Sequence, residues 1–282
     1  MLEKIDLGIA KNLARNSLTN AAQRVGKIKK SNWHDIIYFK DISSINFWAS
    51  LYAEFIGTFL LVFIGCASVL PVESDDNLDN LIVPGLTFMA IIVTLIHLVG
   101  PTSGCHLNPA VTLALAIMLR CKLFRAFCYF LVQMLGAFAG ALVLHFIAPQ
   151  HFIIAGKMCR TQLNPNVSPA GGFLMELIAT SVLILIVLVI TEPGPEKDFE
   201  GFPALSAGIT ILALVYCAAP YTGASLNPAR SFGPALVSMK FKDFWIYLAG
   251  PFGASFLGVF CYVAVFRDGI RCAYKKDVEN PK

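Results

Sequence analysis

Two short segments of the chain carry side chains whose spacing suggests work at a common point. His106-Leu107-Asn108-Pro109-Ala110 recurs 119 residues later as Ser225-Leu226-Asn227-Pro228-Ala229. Each Asn-Pro-Ala has the chemistry of a helix start: Asn is a preferred N-cap, and Pro at the first helical position gives up only an N–H that has no partner there. Helices are therefore expected to begin at 109 and 228. An Asn side chain at each start offers an amide NH2, and each helix N-terminus carries partial positive charge. Two such ends brought together would hold the oxygen of one small neutral molecule and repel a desolvated cation. No Ser/His/Asp grouping, metal-ligand spacing or phosphate loop accompanies them, and nothing calls for a metal or cofactor.

The surrounding sequence must bring these segments together, and its composition says where. Of 282 residues 56% are hydrophobic and 14% charged, against roughly 25% charged in an ordinary soluble domain. The runs 80–119, 126–156, 201–229 and 244–266 contain no Asp, Glu, Lys or Arg. Such runs read as membrane spans, each needing about 20 residues. Spans are expected near 48–70, 84–100, 124–147, 172–191, 204–220 and 244–266, so the run 80–119 holds one span plus the first Asn-Pro-Ala segment. The fold class is thus an all-α membrane protein with six transmembrane helices and two re-entrant half-helices. Residues 1–47 and 267–282 read as tails and 48–266 as the membrane domain.

The repeat extends beyond the motif. Ala53-Glu54-Phe55-Ile56-Gly57-Thr58 is echoed by Met175-Glu176-Leu177-Ile178-Ala179-Thr180, and Gly136/Gly140 by Gly250/Ala254/Gly258. Each half, about 48–147 and 172–266, has three spans plus one motif. An odd number of crossings inverts the halves and places their shared elements at the midplane. Half-helices 109–119 and 228–238 would each run about 16 Å and enter from opposite faces. The non-helical stretches 101–107 and 221–226 are tolerated at that depth only where buried in protein or lining a wet cavity. Glu54 and Glu176, the only carboxylates well inside spans, are ionisable and so functional candidates. Their equivalent places in the repeat favour a structural role, accepting hydrogen bonds from loop N–H groups.

Six crossings put both ends on one side. With the ends cytoplasmic, seventeen Lys and Arg fall inside and four outside, Arg230 set apart, which fixes the orientation in what reads as a plasma-membrane protein. The basic residues lie mainly at the two chain ends, which is no nucleic-acid signal, and no removable signal peptide precedes the spans. Asn166-Val167-Ser168, before Pro169, is a glycosylation sequon in an outer loop; the alternative is an unused surface turn. Leu2, Ile5, Ile9 and Leu13 among Lys4, Lys11 and Arg15 leave two readings of the N-terminus, an interfacial helix or a partly disordered tail. Ser31 after Lys29-Lys30 is a weak phosphorylation match. The eight cysteines do not read as a disulfide framework; Cys66 and its like in apolar runs are read as small hydrophobes.

With two Asn-Pro-Ala half-helices in an inverted three-plus-three repeat, residues 48–266 resemble an aquaporin, of the major intrinsic protein family, and its water-channel branch more than its glycerol facilitators. The resemblance implies a right-handed bundle, a pore in each subunit, a homotetramer, and passage of water with exclusion of protons and ions. By the same resemblance the selectivity constriction comprises Phe88, Val215, Ala224 and Arg230. Val215 stands where water-selective members usually carry His, implying a wider and more apolar constriction, and Ser231 stands where the glycerol branch normally has Asp. Ala235 resembles the water branch, while Leu248 replaces its usual aromatic. Hydrogen peroxide, urea and glycerol are the secondary solutes to consider. His106 resembles the family's vestibule His, as a hydrogen-bond partner for water or a pH sensor. Ala224 occupies the slot of the family's mercury-sensitive Cys, and Cys105 is its counterpart in the first repeat. The competing classes are a non-conducting or gated junction or scaffold protein on this fold, and a coupled secondary transporter. The latter would want a midplane ion site, and the intramembrane acids are better explained as loop anchors.

Overall fold

The computed structural model describes residues 42–70, 81–151, 159–192 and 202–266. Six helices in it are long and apolar enough to span a membrane: α1 (Ile45–Ala67), α2 (Ile82–Ser103), α4 (Leu123–Ile147), α5 (Pro169–Ile190), α6 (Pro203–Thr222) and α8 (Ile246–Cys261, continued by a π-helical turn, Tyr262–Phe266). Two short helices, α3 (Pro109–Ile117) and α7 (Pro228–Ser238), complete the set. No strand occurs among the described residues. Leu2, Ile5, Ile9 and Leu13 of the N-terminus, Ser31 and the C-terminal tail lie outside them.

The spans keep no polar face, because their environment on the outside is itself apolar. Phe127, Phe146, Ile147, Ile178, Phe256 and Phe260 are exposed on the bundle perimeter, where hydrocarbon replaces water as solvent. What selects one packing over another is then the small residues, which let backbones approach. A Cβ on Gly136 or Gly140 of α4 would run into the backbone carbonyl of Phe55 or Phe59 of α1. In the second repeat a Cβ on Gly250 of α8 would sit 2.7 Å from the Glu176 Cβ of α5, and one on Gly258 2.8 Å from Ile184 Cγ2. The pairs α1–α4 and α5–α8 are thus the same contact made twice. Between the repeats, α2 packs on α6, and Gly208 admits Val93 where a Cβ would lie 2.6 Å from its Cγ2.

Sequence reasoning placed the re-entrant backbone at 101–107 and 221–226; the helices preceding it run further, to Ser103 and Thr222, with Pro101 and Pro220 inside their last turns. Proline there removes a single intrahelical bond. The helix is then closed by a left-handed glycine, Gly104 (φ +89°) or Gly223 (φ +78°), whose N–H bonds to Gly100 O or Ala219 O, the helix-ending geometry that glycine favours. The true loops are therefore 104–108 and 223–227. At the outer end of α3, Arg120 bonds Leu188 O at 2.8 Å and Thr191 Oγ1 at 2.9 Å and pairs with Glu192, fastening the half-helix to the end of α5.

Candidate functional site

The half-helices begin as their sequence requires. Asn108 caps α3 by accepting Ala110 N–H at 2.9 Å, and Asn227 caps α7 by accepting Ala229 N–H at 2.9 Å and Arg230 N–H at 3.3 Å, with Pro109 and Pro228 at the first helical positions. With 9 and 11 residues the helices run about 14 and 16 Å, half a bilayer's hydrocarbon each. Their starts meet: Asn108 Nδ2 donates to Leu226 O and Asn227 Nδ2 to Leu107 O, both at 2.8 Å. This refines the expectation that each asparagine offers its amide NH2 at a common point. One hydrogen of each NH2 ties the opposite loop, and one remains, because an amide nitrogen carries two.

The loops before these caps are held from behind by the two buried glutamates. Glu54 Oε1 accepts Ser103 Oγ–H (2.7 Å) and His106 N–H (2.8 Å), and its Oε2 accepts Leu107 N–H (2.7 Å) and Gln133 Nε2–H (2.8 Å). Glu176 Oε1 accepts Thr222 Oγ–H (2.7 Å) and Ser225 N–H (2.9 Å), and its Oε2 accepts Leu226 N–H (2.9 Å). Both carboxylates have 0% exposure, so these donors are what replaces water around them. The N–H groups face the carboxylates in a chain path that needs unusual dihedrals. Cys105, Leu107, Ala224 and Leu226 all have φ between +49° and +55°, a conformation that costs roughly 1–2 kcal/mol per residue.

Several contributors escaped the sequence reading. Tyr129 Oη donates to Ser103 O and Tyr247 Oη to Thr222 O, each at 2.9 Å, so a tyrosine closes each loop's entry. The offset between them, 118 residues, is one short of the 119 that separates the two motifs, and that near-match was the available signal. Gln133 bridges Glu54 and Thr112 Oγ1 (3.0 Å), and Ser255 Oγ donates to Ala110 O at 2.8 Å. The His106 imidazole pairs through Nδ1 with Thr112 Oγ1 at 3.1 Å and lies 5.0 Å, edge to face, from the Tyr129 ring.

One cavity of about 240 Å³ collects the rest. Asn108 and Asn227 line it, together with Cys105, His106, Phe88, Val215, Ala224 and Arg230. Arg230 is 6% exposed. Its Nη1 donates to Cys159 O at 2.8 Å, and its guanidinium carbon lies 5.5 Å from the Phe88 ring centroid. A guanidinium has five N–H donors, and the backbone carbonyl Cys159 O is the one acceptor it has among the described residues, leaving donors for the lumen. Cys159 also corrects the reading of the cysteines: Cys66 is bonded to it in a disulfide, Cα–Cα 5.1 Å, within the usual range for such bridges. Sequence spacing gave no sign of this because the partners are 93 residues apart. Among the described residues, Cys105, Cys121, Cys128, Cys217 and Cys261 form no disulfide.

Six spans around a lumen walled by apolar side chains, with a few polar donors at its centre, define a passive membrane channel. The Major intrinsic protein family model matches residues 41–262, and the chain belongs to that family, whose members are channels and not enzymes. It is 36% identical over 224 residues to aquaporin-5 of Rattus norvegicus, covering 79% of this chain and 83% of that one. It is 31% identical over 273 residues to aquaporin-4 of Mus musculus (93% and 83%) and 35% identical over 222 residues to the lens fiber major intrinsic protein of Lithobates pipiens (79% and 82%). Among solved structures, the aquaglyceroporin from Plasmodium falciparum superposes with a TM-score of 0.71 at 27% identity, over 80% of this chain and 99% of that one.

Proposed function

We propose that this channel conducts water, excludes protons and ions, and admits small neutral solutes more readily than a constriction with histidine at position 215 would. The observation that carries the reading is the paired Asn108 and Asn227 in one lumen with Arg230. A water passing the centre meets two N–H donors, one from each asparagine, and two helix N-termini. Its oxygen accepts both, so its own hydrogens point away along the pore and cannot be handed on through the centre. A cation meets the positive ends of two helices and, at the constriction, the guanidinium, having lost its water shell.

Phe88, Val215, Ala224 and Arg230 form the constriction in this reading. Arg230 and Phe88 form one wall pair, and Val215 contributes an isopropyl group where an imidazole would narrow the passage and bond to water. That apolar wall favours glycerol and urea as secondary solutes, as does the likeness to an aquaglyceroporin; the relatives named aquaporin favour water. Glu54 and Glu176 act as loop anchors and His106 lines the vestibule on the side of the termini. The excess of Lys and Arg in the tails and in the loops on their side supports cytoplasmic termini, with Asn166 in an exposed outer loop as a glycosylation site; the membrane in this reading is the plasma membrane. Membership of the family supports a homotetramer in the bilayer, one pore per subunit.

The test is stopped-flow light scattering of proteoliposomes, first under an impermeant osmolyte, then under glycerol and urea gradients, with a pH-sensitive dye inside. Water flux well above bare lipid without proton leakage is the expected result. Flux equal to bare lipid would refute conduction and favour the scaffold reading.

A further inference from the structure

The guanidinium of Arg230 is held by a backbone carbonyl, and that carbonyl belongs to a half-cystine. Cys159 lies in the connection leading into α5, and its sulfur is bonded to Cys66 one residue before the end of α1. Both are buried, at 4% and 0% exposure. Cys159 has φ +57°, a left-handed conformation that an L-residue keeps only where its surroundings impose it, and the turn so made aims Cys159 O at Arg230 Nη1, 2.8 Å away. The same connection is tied down twice more. Thr161 Oγ donates to Ser231 Oγ at 2.9 Å, next to Arg230, and Asn164 bonds the end of α6 through Tyr221 O (2.9 Å) and Pro220 O (3.0 Å). Those ties fix the path after Cys159. Among the described residues, the disulfide is the covalent tie on the residue whose carbonyl does the holding.

We propose that the Cys66–Cys159 disulfide is the positioning element of the constriction: it sets where the Arg230 guanidinium stands, and so the free width and the charge presented to solutes. Cys66 and Cys159 are positioning residues, acting through Arg230 and touching no solute themselves. The inference rests on the proposed role of Arg230. Cleavage by a dithiol such as dithiothreitol breaks the Sγ–Sγ bond; the two sulfurs take two electrons and two protons, and the reagent closes to its own cyclic disulfide. Cys159 O is then released from α1, and Arg230 loses the restraint on its one carbonyl partner.

The bond is first counted. The chain has eight cysteines; denatured without reductant in a maleimide-polymer reagent, six are expected to react, and eight after reduction. Eight in both cases would overturn the proposal. Four proteins are then compared in liposomes for the ratio of glycerol to water permeability and for proton leakage: the parent, Cys66→Ser/Cys159→Ser, Arg230→Val, and the triple variant. The cysteine pair is expected to raise the ratio at least threefold and Arg230→Val to raise it further. Adding the cysteine changes to Arg230→Val is expected to leave its ratio within 1.5-fold, because the restraint then has nothing to hold. A merely structural bridge would give effects that multiply, or a pair variant with the parent's ratio, and either outcome overturns the proposal. Should the serine pair fail to fold, the parent is reduced in detergent until labelling reports eight thiols, reconstituted and read for the same ratio. If Arg230→Val itself leaves the ratio unchanged, the constriction reading fails; if it shifts the ratio and the cysteine variants do not, only this inference fails.

Discussion

Replacing Glu176 by Gln keeps the shape of the side chain and removes what the loop needs from it. The carboxylate receives three donors, Thr222 Oγ–H, Ser225 N–H and Leu226 N–H, at 2.7 to 2.9 Å. A glutamine has one carbonyl oxygen and one NH2. Whichever way the amide turns, at least one backbone N–H of the loop faces an NH2 instead of an oxygen. A hydrogen bond to a charged group contributes about 1.5–3 kcal/mol and a buried donor left unsatisfied costs about 1–3 kcal/mol, so the substitution is expected to cost roughly 3–5 kcal/mol. For a chain of this size that corresponds to a fall in thermal midpoint on the order of 10 °C. The strained dihedrals at Ala224 (φ +49°) and Leu226 (φ +55°) lose their restraint, and Asn227 with them, so water flux per protein should drop severalfold. The assay pairs thermal unfolding of the solubilised protein with stopped-flow water flux. A Glu176→Gln protein melting within 2 °C of the parent and conducting water equally would refute the argument that the carboxylate holds the loop.

Three other outcomes follow from the geometry. Val215→His should cut glycerol and urea permeability at least threefold while water flux stays within twofold, read in the same liposome assay; unchanged solute entry would contradict the assignment of Val215 to the constriction. Gly136→Ala, whose Cβ meets the Phe55 carbonyl, should lower the thermal midpoint by overpacking of about 1–3 kcal/mol. Gly253→Ala, facing only the flexible end of Leu177 at 3.1 Å, should leave it nearly unchanged. Glycosidase digestion should increase the gel mobility of the protein expressed in a secretory host, and Asn166→Gln should abolish that change; mobility indifferent to the enzyme would reject use of the sequon.

Much of the site was legible because the repeat presents it twice. Asn-Pro-Ala fixes a helix start by local chemistry alone, and charge-free runs bound the spans, so α3 and α7 begin at the residues expected of them. The loop boundaries were less legible, since Pro101 and Pro220 read as breaks while the helices continue two residues past them to glycines that end them. Hydrogen bonds between distant residues left only faint traces. Tyr129 and Tyr247 fall within one residue of the motif offset but are unremarked among other aromatics in apolar runs. The disulfide was illegible for a firmer reason: six of eight cysteines sit in or beside apolar sequence, and only the folded path shows that Cys66 ends a helix under the turn containing Cys159. The amide geometry of Asn108 and Asn227 was half legible, since a helix cap implies where the oxygen goes and leaves the nitrogen's partners to the opposite repeat.

That exchange between the repeats has a consequence for how the protein comes into being. Leu107 O and Asn108 Nδ2 sit where the two half-helices meet, which six spans in an inverted repeat put at membrane depth, and each has its partner in the second half of the sequence. While only the first half has been synthesised, a carbonyl and an amide stand at a depth where a buried polar group without a partner costs several kcal/mol. The first three spans can therefore insert but cannot close their own re-entrant loop without water or borrowed partners. Only when Leu226 and Asn227 arrive from the opposite face are both debts cancelled at once. The conducting path is thus the last part of the molecule to exist, and a chain interrupted before the second motif yields a membrane-inserted protein with no pore.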